Sequence, residues 1–80
     1  MLTKTQLIEY AIKGIDADIE VLEKSIKKGK SILQAHEKGI ATPSPKSTQE
    51  TRDIVQAKQA ELERLNEVKH SLRWELDVNE

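Results

Sequence analysis

Apolar residues recur along the first half of the chain with one rhythm. Ile12, Ile19, Ile26, Leu33 and Ile40 fall seven apart, and Ile8, Ile15 and Leu22 form a second series of the same period, continued by Gly29 and His36. Interleaved, the series step by four and three, which lines side chains in one row along a helix packed on another helix. Thr3-Lys4-Thr5-Gln6 matches a capping box at the start, with Thr3 as N-cap and Gln6 reaching back. Gly39 suits the left-handed residue that follows a helix end. The pattern predicts a helix over about 4–38, roughly 50 Å long at 1.5 Å per residue.

Residues 40–46 read as a linker, because Pro43 and Pro45 push Thr42 and Ser44 toward extended backbone and forbid a continuing helix. Ser47-Thr48-Gln49-Glu50 is a second capping box, with Ser47 as N-cap. A helix over about 48–77 follows, and Asp77-Val78-Asn79-Glu80 is expected to fray. Its apolar row is less regular: Ile54, Val55, Leu62, Leu65, Val68, Leu72 and Leu76, interrupted by Lys58 and Lys69, whose stems can lie on apolar surface. A short loop between two long helices gives an antiparallel hairpin. The expected fold is all-α, a single helical-hairpin domain over residues 1–80, coiled-coil-like and dimerising into a four-helix bundle.

A second stripe on the first helix motivates the dimer. Leu7, Tyr10, Gly14, Ala17 and Val21 step by three and four on a face away from the isoleucine row and stop at Lys24 and Lys28. The small residues Gly14 and Ala17 would admit a close neighbour. Gly29 falls on the row itself, where it predicts a kink or a gap filled from the other helix. With the turn centred near residue 44, positions adding to about 88 share a height at 1.5 Å per residue. Tyr10 and Trp74 then gather at the open end, with Leu2, Leu7 and Val78 close by. Two helices alone form a thin core, and small folds of this kind commonly rely on oligomerisation. The predicted interface is Leu7, Tyr10, Gly14, Ala17, Val21 and Trp74.

Composition narrows the class. Of 80 residues, 36% are hydrophobic and 34% charged, with three glycines, two prolines and no phenylalanine. That suits an exposed helical protein and not a sandwich or barrel. No cysteine is present, which removes disulfides, cysteine zinc sites and thiol chemistry. The opening residues lack the apolar run of a signal peptide, and no stretch is apolar enough to span a bilayer. A cytoplasmic protein without a membrane role is expected.

The net charge of −1 argues against a general nucleic-acid binder. Charge is nevertheless segregated. Lys24, Lys27, Lys28, Lys30, Lys38 and Lys46 against Glu37 leave residues 24–46 at +5, whereas residues 1–23 carry −3. Base toward a helix end favours the helix dipole, which accounts for the lysines as a solvated helix end. The alternative is a nucleic-acid contact through Lys24, Lys27, Lys28 and Lys30, although no aromatic side chain is interleaved for base stacking. In architecture such a hairpin resembles the plasmid copy-control hairpins that form four-helix dimers and bind RNA, a likeness of fold with no shared motif.

Catalytic and metal chemistry find no residue set. Gly29-Lys30-Ser31 matches the end of a phosphate-binding loop, but Lys24 stands where its first glycine is required. His36 and His70, the only histidines, would lie roughly 27 Å apart in height, too far to share a metal. His36 is expected to be a hydrogen-bonded seam residue near Arg52 or Asp53, and His70 an ordinary surface partner of Asp18. No Glu-x-x-His pair is present for a bundle-core metal site. The chain reads as a non-enzymatic protein without cofactors. It would act through helix–helix association as an adaptor or regulatory subunit with a protein partner of its own, of the kind phages and mobile elements encode.

Overall fold

The computed structural model describes residues 1–40 and 46–79, with the side chain of Asn79 left aside. Two helices account for almost all of it: α1, Lys4–Glu37, and α2, Thr48–Asn79. They pack antiparallel as a hairpin 55 × 19 × 15 Å, a slab two helices wide and one thick. Among the described residues there is no strand, and no helix is long and apolar enough to cross a membrane. The predicted loop prolines lie outside the described residues. α2 continues as helix through Asn79 where fraying from Asp77 was expected.

The ends form for the reasons their residues supply. At the start of α1 the Gln6 N–H donates to Thr3 Oγ1 at 3.1 Å, and the Thr3 N–H donates to Gln6 Oε1 at 2.9 Å. Both halves of the capping box are made, satisfying two of the donors that a helix start leaves open. At the other end Gly39 takes φ +70. The Gly39 N–H donates to the His36 carbonyl, and the Ile40 N–H to that of Ala35. This is a Schellman stop, which needs the left-handed residue that glycine provides without strain. It also removes Ile40 from the seam. Ile40 sits past the helix end, exposed. At the start of α2 the Glu50 N–H donates to Ser47 Oγ at 3.1 Å.

The core is one seam. Ile8, Ile12, Ile19 and Ile26 of α1 are buried, and Ile15, Leu22, Gly29, Leu33 and His36 between them are half-buried. On α2 the seam departs from the expected row. Thr51, Val55, Lys58, Leu62, Leu65, Lys69, Leu72 and Leu76 form an unbroken series of four-three steps, all buried or half-buried. Val68, expected on the seam, is 43% exposed, and Ile54 is half-buried on a flank. Lys58 and Lys69 are therefore seam members and not interruptions. The Lys58 ammonium donates to Ser25 Oγ, and Lys69 Nζ lies 2.5 Å from Asp16 Oδ1. Each stem covers apolar surface while its head reaches a polar partner at the rim. The buried Thr51 hydroxyl donates back to the Ser47 carbonyl at 2.9 Å, and among the described residues no buried side-chain polar atom lacks a partner.

Facing partners fix the register. Ser25 with Lys58, Gly29 with Val55, His36 with Thr48 and Asp16 with Lys69 have numbers adding to 83–85. The expected value was about 88, so α2 is advanced by about one helical turn of 3.6 residues. This register pairs the seam in consecutive layers, from Ile8 with Leu76 to His36 with Thr48.

Candidate functional site: the outer faces of the hairpin

The seam sets the rotation of each helix and so decides what the outside presents. Residues that immediately follow a seam position, such as Lys13 and Asp16 on α1 or Gln59 and Glu63 on α2, fall on one broad side of the slab. Those that immediately precede one, such as Ala11, Gly14, Ala57 and Glu61, fall on the other. Lys4 and Glu75, both of the preceding kind, meet across the hairpin at 3.6 Å, which puts the two preceding sets on a common side.

The predicted stripe is exposed along its length in the isolated hairpin. Leu7 is 54% exposed, Tyr10 59%, Val21 67% and Trp74 65%, and Gly14 and Ala17 are open as well. A Cβ at Gly14 would meet nothing within 4 Å. The stripe does not lie on one plane. Leu7, Gly14 and Val21 precede seam positions and belong to a broad side. Tyr10 and Ala17 point directly away from the seam, along the outer edge of α1. Lys13 Nζ stands 5.7 Å from the centre of the Tyr10 ring, on the edge away from Leu7.

Trp74 takes the same outward position on α2. Tyr10 and Trp74 share a height, as expected, but they occupy opposite outer edges of the slab and do not gather. Equal height is a matter of numbering alone. Facing direction depends on each helix's rotation about its own seam, and both residues lie opposite theirs.

The four lysines of the alternative reading are also dispersed. All are exposed. At 100° per residue, Lys28 and Lys30 point about 160° apart, and Lys24 is paired with Glu20 at 3.2 Å on the outer edge. Lys27 and Lys30 line an open groove with Glu23, Gln34 and the flanks of Ile26 and Leu62. An acid within the groove and opposed directions outside it leave no single basic plane.

The histidines resolve separately. His36 Nδ1 and Thr48 Oγ1 lie 3.0 Å apart, closing the loop end of the seam. Thr48 is thus a partner of His36, one turn before the expected Arg52 or Asp53, because of the register. His70 is exposed beside Asn66, Glu67 and Ser71. The cation that α2 brings to this part of α1 is Lys69, and it meets Asp16 and not Asp18. Among the described residues no group of three His, Asp or Glu side chains is placed to hold a metal ion.

Sequence reasoning missed part of the exposed apolar surface. Ala11 was passed over, and Val68 and Ile54 were assigned to the seam. The signal was present: α1 steps strictly by four and three, and a partner helix must match that spacing. Imposed on α2, this selects Lys58 and Lys69 and releases Ile54 and Val68.

No protein-family model, curated protein or solved structure matches this chain.

Proposed function

We propose that this chain is a non-enzymatic structural or interaction protein that works through helix–helix association, as a homodimer of hairpins forming a four-helix bundle. The observation that carries the reading is the surface. The hairpin exposes 6141 Å². A compact monomer of its 9.1 kDa would expose about 4,900 Å² by the usual scaling with mass. The excess, about 1,200 Å², exceeds the roughly 800 Å² that each partner gives to a standard interface. The seam leaves no reserve to compensate, since even its driest members, Val55 and Thr51, remain 5% exposed. In this reading the dimer is the working unit, an adaptor or small regulatory subunit presenting its charged faces to a further protein.

Mass in solution tests it. Sedimentation equilibrium at tens of micromolar is expected to return twice the 9.1 kDa chain mass, and a monomer at that concentration would overturn the reading. Nucleic-acid binding through Lys24, Lys27, Lys28 and Lys30 has less support, because the four ammonium groups diverge around α1.

A further inference from the structure

One broad side of the slab is wholly polar, whereas the other is mixed and carries the exposed apolar residues. Every residue that follows a seam position is polar or charged, from Gln6 to Glu37 on α1 and from Gln49 to Asp77 on α2. The preceding side holds Leu7, Gly14 and Val21 from α1 and Ile54, Val68 and Val78 from α2, interspersed with the charged Asp18, Lys28, Glu50, Glu61, Arg64 and Glu75. Val78 is 61% exposed. A solvated hairpin has no need of this division, whereas burying one broad side against another helical layer requires it.

We infer that the preceding side is covered by a second copy of this chain, with α1 of each copy lying on α2 of the other and the open ends together. The inference rests on the proposed dimer and specifies its geometry.

Self-complementarity selects the occupant and its orientation. In the observed register Leu7 has the height of Val78, Ile32 lies within two residues of Ile54, and Gly14 stands level with Ser71. Placing α1 on the second copy's α2 therefore sets apolar on apolar at both ends and a glycine opposite a small residue between them. Charges match as well. Asp18 falls within a turn of Arg64, and Lys28 falls within reach of Glu61. Turning the second copy end for end, with α1 on α1, brings Arg64 at mid-height onto its own counterpart and Val78 onto Glu50. Like charge across an interface opposes that arrangement.

The test uses the full chain, whose lack of cysteine makes introduced thiols unambiguous. Gly14→Cys and Ser71→Cys chains, purified separately and then mixed under mild oxidation, are expected to cross-link to each other. Cross-linking only within each single variant would overturn the orientation. Val68→Glu is expected to shift the sedimentation mass to that of a monomer with helical circular dichroism retained, while Trp74→Glu leaves the mass unchanged. A Val68→Glu chain that stays dimeric, or a mixture that forms no 14–71 cross-link although the unmodified chain is a dimer, overturns the assigned face and leaves the dimer standing. A monomeric unmodified chain overturns both. Should Val68→Glu fail to fold, the cross-link decides alone.

Discussion

Val55 occupies the space that a side chain on Gly29 would need. A Cβ built on Gly29 would stand 2.5 Å from Val55 Cγ2, far inside contact distance. The glycine costs about 1 kcal/mol of helix propensity, and in return a branched side chain seats against bare backbone at the layer beside His36 and Thr48. No kink is needed to explain Gly29. Gly29→Ala should therefore lower stability by about 1 kcal/mol net, since overpacking costs about 1–3 kcal/mol against the propensity gained. Urea unfolding checks this, and Val55→Ala in the same chain should recover part of the loss that Gly29→Ala causes.

Gly14 should behave in the opposite way. Nothing lies within 4 Å of the added Cβ, so Gly14→Ala gains the helix-propensity term, about 1 kcal/mol, with no clash inside the hairpin. The same urea titration measures it. The gain belongs to the hairpin alone; a loss of stability at concentrations where the dimer forms would show that the second copy inferred above approaches Gly14 too closely for a methyl group.

The seam lysines offer a third test. Lys58 stands level with Ile26, and Lys69 with Ile15. Lys58→Leu should raise the unfolding midpoint, with a gain of about 1 kcal/mol from apolar area replacing a stem whose head must stay wet. If the midpoint falls instead, the bond from the Lys58 ammonium to Ser25 contributes more than its exposure suggests.

Caps should be felt at both ends. Thr3→Ala removes the acceptor for the Gln6 N–H, and Ser47→Ala the acceptor for the Glu50 N–H. Each should cost about 1 kcal/mol. Hydrogen exchange should rise mainly in the first turn of the affected helix. Uniform loss of protection along both helices would show that the caps act on the hairpin as a whole.

Unfolding should depend on chain concentration. For a dimer that folds as it associates, mass action raises the melting temperature with concentration. Scans across a hundredfold range are expected to show a steady rise, and a fixed temperature would contradict the association on which the functional reading depends.

Much of the hairpin was legible in the residues. Thr3 with Gln6, Gly39 and Ser47 mark helix ends through local hydrogen bonds, which depend on neighbours a few positions away. The α1 seam was legible because its apolar members are nearly unbroken from Ile8 to Leu33. The α2 seam was not, since Thr51, Lys58 and Lys69 are polar by type and enter the seam only because the lysine heads find partners on α1 and the Thr51 hydroxyl bonds back to the Ser47 carbonyl. The one-turn advance of α2 and the separation of Tyr10 from Trp74 were likewise decided by tertiary structure. Register and facing direction arise from how Gly29 receives Val55 and how His36 meets Thr48, contacts between residues far apart in the chain. Periodicity along one helix states which side chains share a face, but packing decides what that face meets.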